Sequence, residues 1–341
     1  MNIHWQPLVD LLQSQTRFVI TSHIRPDGDA IGSEVGLACV LQALGKQVSV
    51  INVSPLPAHL KFLDPEGIVL HLGTTATVAD VQAADVHIVV DTSAWGQLSE
   101  IGKIFRECSQ PRVVIDHHVS SDDLGAIEFK DTTREATGSL IYELAGVLKV
   151  PVSATAAVAM YTAIATDTGW FRFPATTSQT LRVVSELVEL GAQPHVIYRQ
   201  LYEQGSLARL RLAGRVLSRV TLDCDGQLAY TQVPWSDFVE VGAAASDTED
   251  LVNDCLTIAG TTAAFIAIEQ PNRQVKVSFR SRSEVNVAKV AEQFGGGGHK
   301  LAAGATFPGP LSKAVKQALA AVKAAISGCE DPQEQTVDDS P

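Results

Sequence analysis

Thr21-Ser22-His23-Ile24-Arg25-Pro26-Asp27-Gly28-Asp29-Ala30 follows directly on the apolar run Phe18-Val19-Ile20 and places one imidazole and two carboxylates within seven residues. A short β-branched run, a Pro/Gly turn and then Ala30-Ile31-Gly32-Ser33-Glu34-Val35-Gly36-Leu37-Ala38 predict strand, loop and helix in succession. His23, Asp27 and Asp29 therefore sit at the carboxyl end of a strand, which is where open α/β sheets bind ligands. Two carboxylates held close together repel, and a divalent cation relieves that repulsion, with an imidazole filling a further position. Pro26 fixes φ and Gly28 admits positive φ, so the loop can aim Asp27 and Asp29 at one point. Pro-Asp-Gly-Asp is equally good chemistry for an ordinary surface turn, so the stretch has to be weighed with the rest of the chain.

The pattern recurs. Val86-His87-Ile88-Val89-Val90 ends on Asp91-Thr92-Ser93, and Arg112-Val113-Val114-Ile115 runs into Asp116-His117-His118. Helical spacing predicts helices near the amino terminus, over Ala30–Leu44, Leu98–Glu107, Thr137–Lys149 and Ala154–Ala165, the last leading into Thr166-Asp167-Thr168-Gly169. A further strand is expected at Gln47–Ile51, and Leu56–Asp64 reads as an irregular connection. Alternating strands and helices predict an α/β fold with a doubly wound, mostly parallel sheet over residues 1–185. Residues 186–218 continue a helical pattern that reads as a linker. Residues 219–327 change to hairpins turning at Asp225-Gly226 and Pro271-Asn272, with helices near Thr248–Ile258, Asn286–Phe294 and Leu311–Ile326, and predict a smaller α+β domain. Residues 328–341, with five carboxylates among polar residues and prolines, read as an acidic disordered tail.

At 341 residues with 45% hydrophobic content, the chain is long enough for two domains and a substantial core. It has no apolar run of membrane-spanning length and no basic-then-apolar leader, so a cytoplasmic protein without a membrane partner is expected. Five scattered cysteines, none spaced Cys-x-x-Cys, argue against a disulfide framework or a zinc ribbon. A net charge of −12 disfavours long duplex nucleic acid, whose binding needs broad basic surface, but leaves small anionic substrates open. One local basic feature stands out: in Lys276-Val277-Ser278-Phe279-Arg280-Ser281-Arg282 strict alternation puts Arg280 and Arg282 on one strand face as a fork suited to phosphate oxygens. The glycine run Gly295–Gly298 before His299 could let backbone N–H groups approach an anion closely. A solvated strand face and a flexible linker are the plain alternatives.

His23-x-x-x-Asp27-Gly28-Asp29, Asp91-Thr92-Ser93, Asp116-His117-His118, Thr166-Asp167-Thr168-Gly169 and the Gly295–His299 run, taken in this order, resemble the DHH phosphoesterase family with its associated carboxy-terminal domain. The resemblance covers nearly everything but the tail. It implies that His23, Asp27, Asp29, Asp91, His117 and Asp167 hold two divalent metal ions, with Asp91 bridging, in a cleft between the two domains. Four carboxylates and two imidazoles suit Mn²⁺, with Mg²⁺ the alternative. It further implies that His118 contacts the phosphate or protonates the leaving oxygen, while Asp116 orients a ligating histidine. Arg280, Arg282, Gly296, Gly297, Gly298 and His299 would then form a second phosphate site across the cleft.

Within the family the chain looks most like its oligoribonuclease branch. That implies cleavage of short oligoribonucleotides to mononucleotides and dephosphorylation of the nucleotide bisphosphate 3′-phosphoadenosine 5′-phosphate (PAP) to AMP. Cyclic di-AMP or its linear product is the nearest alternative substrate, and a non-catalytic nucleotide-binding regulator is the alternative of another class. Oligomeric state is left open between a monomer and a homodimer. One departure stands in the loop after Gly169, where Pro174-Ala175 precedes Thr176-Thr177 and the family commonly has asparagine, which leaves that loop's details open.

Overall fold

The computed structural model describes residues 3–328, so all but the first residue of the expected acidic tail lies outside the described residues. The chain divides into two compact units with the boundary between Gln204 and Gly205.

The first unit runs α1 (Gln6–Ser14), β1 (Arg17–Thr21), α2 (Gly28–Ala43), β2 (Gln47–Asn52), β3 (Val69–His71), α3 (Val78–Gln82), β4 (Val86–Val90), α4 (Trp95–Glu107), β5 (Arg112–Asp116), β6 (Ile127–Lys130), α5 (Thr137–Leu148), α6 (Ala154–Asp167), α7 (Ser178–Glu189) and α8 (Pro194–Tyr202). Its six strands are ordered β3-β2-β1-β4-β5-β6, and every pairing is parallel. Apolar side chains of α1, α2, α5 and α6 fill one face of the sheet, and those of α3 and α4 fill the other, so the sheet is doubly wound as the alternation predicts. After β1 the chain winds to one side through β2 and β3 and then returns to β1's other side with β4. That reversal places the carboxyl ends of β1 and β4 side by side at the switch point, where such sheets bind ligands.

Helix α2 is enclosed on nearly all sides: residues 28–38, Val40 and Leu41 are all buried. The close approach of α6 requires glycine, because a Cβ on Gly32 would lie 2.4 Å from the Ala159 carbonyl oxygen. Small residues at this crossing bring the start of α2 next to the end of α6.

The second unit contains α9 (Leu207–Leu217), β7 (Thr221–Asp223), β8 (Leu228–Val233), α10 (Trp235–Val241), α11 (Leu251–Cys255), β9 (Ala263–Glu269), β10 (Val275–Ser281), α12 (Val287–Glu292), β11 (Gly297–His299), β12 (Ala302–Phe307) and α13 (Leu311–Ser327). Its sheet is ordered β11-β12-β10-β9-β8-β7 and is antiparallel except between β8 and β9. The hairpins turning at Asp225-Gly226 and Pro271-Asn272 are present. Helices α12 and α13 cover one sheet face, whereas α9 to α11 pack their apolar side chains against β8 and β9 on the other. Residues 186–218, expected as a helical linker, carry the end of α7, then α8 and α9, with α7 and α8 in the first unit and α9 in the second. One feature departs from the expectation. The glycine run ends as a strand, in which Gly298 takes φ +147 and a Cβ would lie 2.5 Å from the Ala302 carbonyl oxygen.

Candidate active site

Three parallel strands deliver their ligand-type residues to one edge of the first unit, and the ends of three helices complete the set. The Asp27 carboxylate caps α2, accepting from the N–H groups of Asp29 and Ala30 at 3.1 Å each. Asp29, 1% exposed, accepts from the N–H groups of Thr137 and Gly138 at 2.8 and 3.0 Å, so a carboxylate from α2 caps the amino end of α5. Asp91 turns the chain after β4 with φ +61, a left-handed conformation that aspartate tolerates better than most residues. Its Oδ1 accepts from the Thr137 hydroxyl at 2.9 Å. Asp167 is the last residue of α6.

Around these carboxylates stand the imidazoles. His23 Nδ1 donates to the Ile24 carbonyl at 3.0 Å, and its Nε2 lies 3.4 Å from Asp91 Oδ2 and 3.8 Å from Asp27 Oδ1. His117 Nδ1 donates to the Arg134 carbonyl at 3.2 Å, which fixes the tautomer and leaves Nε2 as the acceptor. That Nε2 is buried with no hydrogen-bond partner among the described residues, yet it lies 3.6 Å from Asp29 Oδ2, 3.6 Å from Asp91 Oδ1 and 3.4 Å from Asp167 Oδ2. Three overlapping groups have cation-holding spacing: His23, Asp27 and Asp91; Asp29, His117 and Asp167; and Asp91, His117 and His118. All six metal ligands expected from the sequence are thus drawn together. Asp91 turns one oxygen to each side.

The electrostatics carry the same signature. Burial, with the Asp29 charge added, pushes the Asp91 carboxyl well above its usual value and Asp167 up to about 7. Burial disfavours charge on His23, but the Asp27 and Asp91 carboxylates prevail and push it up to about 11. Crowded carboxylates that hold on to protons beside an orphaned imidazole nitrogen are what divalent cations would relieve, and the donor set of hard oxygens and imidazole nitrogens fits them.

Asp116 corrects one expectation. Its carboxylate does not orient the ligating His117; it accepts from His118, through the backbone N–H at 3.0 Å and Nδ1 at 2.9 Å, and from the Ser93 hydroxyl at 2.7 Å. Burial would raise Asp116, but these donors hold it down at about 2, and Asp116 in turn raises His118. Lys130 supports the arrangement, its ammonium 2.7 Å from Ser93 Oγ and 3.4 Å from Asp116 Oδ2.

A residue the sequence reading passed over lies behind His23. Asn52 accepts from the Thr21 hydroxyl and the Ser22 N–H at 3.1 and 3.3 Å and donates to Glu34 Oε2 at 2.8 Å, and burial pushes the Glu34 carboxyl up to about 7. The signal was a lone carboxylate in an otherwise apolar helical stretch. Thr137, the first residue of α5, donates its hydroxyl to Asp91. Arg134 has its guanidinium on Asp131 and Glu143, and Trp170 packs against Tyr161 and Tyr198.

In the second unit, cross-strand registry aligns Arg280 with Ala302 and Ala302 with His299, so Arg280 and His299 share a sheet face on either side of a methyl group. The expected fork with Arg282 is divided. Arg282 donates to the carbonyls of Thr261 and Ile258 at 2.6 and 3.0 Å, whereas among the described residues Arg280 donates only to the Phe279 carbonyl. Gly296 and Gly298 sit against the β12 backbone, and Gly297 has open space beside it.

Comparison with known proteins follows the same division. The DHH family N-terminal domain matches residues 17–164 and the DHHA1 domain matches residues 225–328. A Thermus thermophilus protein named bifunctional oligoribonuclease and PAP phosphatase NrnA is 33% identical over 89% of this chain and 88% of its own. The chain belongs to the DHH family. A Bacillus subtilis relative of the same name is 28% identical over 88% of this chain and 92% of its own. Among solved structures, an exopolyphosphatase-related protein from Bacteroides fragilis is 27% identical, with a TM-score of 0.87 and coverage of 96% of this chain and 98% of that one. Both DHH-type units are therefore present in this chain.

Proposed function

We propose that this protein is a divalent-metal-dependent phosphoesterase that cleaves short oligoribonucleotides to mononucleotides and dephosphorylates PAP to AMP. The observation that carries the reading is the buried, unpartnered Nε2 of His117 facing carboxylate oxygens of Asp29, Asp91 and Asp167. The names of the Thermus and Bacillus relatives supply the substrate class.

His23, Asp27 and Asp91 would hold one ion and Asp29, Asp91, His117 and Asp167 the other. Mn²⁺ is the favoured ion and Mg²⁺ the alternative, and such a pair supplies Lewis-acid activation of water and neutralises charge at phosphorus. The chain does the remainder. Arg134's carbonyl and Thr137's hydroxyl fix His117 and Asp91, so the ligands need no rearrangement. His118, its Nδ1 proton held on Asp116, presents Nε2 outward and keeps its proton more firmly than a free imidazole, which suits donation to the leaving alkoxide or to a phosphate oxygen. Arg280, with His299 and the open backbone at Gly297, takes a second phosphate, while Arg282 acts structurally and the Gly296 N–H is held by the Ala291 carbonyl.

The test is a side-by-side turnover assay of short RNA, PAP and cyclic di-AMP in Mn²⁺. Turnover of the first two is expected; hydrolysis of cyclic di-AMP alone would overturn the substrate assignment, and no hydrolysis of any would overturn the activity.

A further inference from the structure

Where α11 stops covering the second sheet, a cavity of about 420 Å³ opens beside β10. This is the size range of small-molecule sites. Alternation places Lys276, Ser278 and Arg280 on the cavity side of β10, and Ile266, paired with Ser278 on β9, provides an apolar floor. Thr248 and Glu249 stand on the wall before α11. Lys276 has no hydrogen-bond or ion-pair partner among the described residues, and Arg280 donates only to a neighbouring carbonyl. Two cations therefore lie on one side of an open cavity, with two carboxylates on its wall, Asp250 accepting from the Asn253 amide at 3.1 Å and Glu249 the other, and hydrocarbon beneath.

That distribution matches a nucleotide more closely than a bare anion. A phosphate alone would leave the apolar floor and Glu249 without a role, and an apolar ligand would leave the cations without one. We propose that this cavity is a nucleobase subsite: it seats the purine of a nucleotide whose phosphate lies on Arg280 and Lys276, with Glu249 accepting from the base's N–H groups. Adenine and guanine offer an amino donor and a broad face for the floor, whereas uracil is smaller and its N3–H donor is flanked by two carbonyl oxygens that the Glu249 carboxylate repels. The inference rests on the nucleotide-directed activity proposed above and adds to it a preference among substrates.

The test uses the full chain in Mn²⁺ and compares kcat/KM for the 5′-phosphorylated dinucleotides pApA and pUpU. Loss of one charge-assisted hydrogen bond corresponds to roughly tenfold or more, so wild type should favour pApA by about that factor. Glu249→Gln should shrink the ratio, and Lys276→Gln should lower both substrates while leaving the ratio in place. Equal kcat/KM for the two substrates in wild type, or an undiminished ratio in Glu249→Gln, would overturn the subsite. Calorimetry of AMP against ribose 5-phosphate on wild-type chain decides the matter separately, even if a variant does not fold or neither dinucleotide is hydrolysed. AMP should bind roughly tenfold more tightly; equal affinities would overturn the subsite, whereas absent hydrolysis with AMP still preferred would overturn only the proposed activity.

Discussion

The acidic cluster of the first unit and the basic face of the second are built on opposite plans. Five of the six members of the first are held by backbone or hydroxyl groups outside the ligand set or at a helix start: His23 by the Ile24 carbonyl, Asp27 by the amino end of α2, Asp29 by the amino end of α5, Asp91 by Thr137 and His117 by the Arg134 carbonyl. In the second, Arg280 is half-exposed, His299 is exposed on an edge strand, and open space adjoins Gly297. Carboxylates that must converge on small cations need confinement, because their mutual repulsion would otherwise spread them. Guanidinium and imidazole groups that meet a larger, variable anion need only a shared face and access to it.

If that contrast is right, damage should be absolute on one side and substrate-dependent on the other. Asp91→Ala removes the carboxylate shared by two clusters. Turnover in Mn²⁺ should fall by about 10³-fold or more, with metal content lost by elemental analysis and circular dichroism unchanged. Substantial activity with metal retained would place the chemistry elsewhere.

The next effect is on stability. Glu34 is buried with its carboxyl raised from 4.5 to about 7, so its neutral form is the one the fold prefers. Its contribution is whole below about pH 4.5, where the unfolded chain is protonated too, and is lost as pH rises through 7. The shift corresponds to on the order of 3 kcal/mol. Glu34→Gln should flatten melting temperature against pH across this interval; an unchanged slope would show that Glu34 is not the titrating group.

On the open side, Arg280→Ala should cost dinucleotides and PAP about tenfold to a hundredfold in kcat/KM. Bis-p-nitrophenyl phosphate, which has no second phosphate, should lose far less. Arg282→Ala should instead lower the melting temperature, because it frees the Thr261 and Ile258 carbonyls. Equal losses on both substrate types with Arg280→Ala would erase the distinction between the two regions.

The smallest effects separate the glycines. Gly32→Ala drives a methyl group against the α6 backbone and should cost about 1–3 kcal/mol by denaturant titration. Gly297→Ala meets nothing within 4 Å and should stay within about 0.5 kcal/mol. A reversed order would mean that the helix crossing is looser than its packing.

What the sequence made legible follows the same line. Polar ligand types at the ends of apolar strand runs stand out, so the parallel sheet and the candidates His23, Asp27, Asp29, Asp91 and Asp116-His117-His118 are legible from pattern, whereas Asp167, at the end of a helix, and the choice of six ligands come from the resemblance to the DHH family. The cap that α2 gives α5 cannot be read there, since Asp29 and Thr137 are 108 residues apart and each has a sufficient local explanation. The partner of Asp116 is not legible, because adjacency in sequence does not say which imidazole turns back. Alternation alone makes Arg282 the twin of Arg280, yet β10 ends at Ser281 and the side chain beyond it turns to loop carbonyls. Strand β11 was hidden because glycine carries almost no strand preference, and its pairing with β12 is a tertiary fact.

The enclosure of α2 bears on how the protein responds to its cation. A helix buried along most of its length cannot swing outward, so the loop at its start has little freedom to collapse or reopen. Ion uptake is then an exchange of protons for metal inside a rigid mould and not a folding event. Calorimetry should register it as proton release with a heat-capacity change near zero, and a chelator should silence the enzyme while leaving its shape intact.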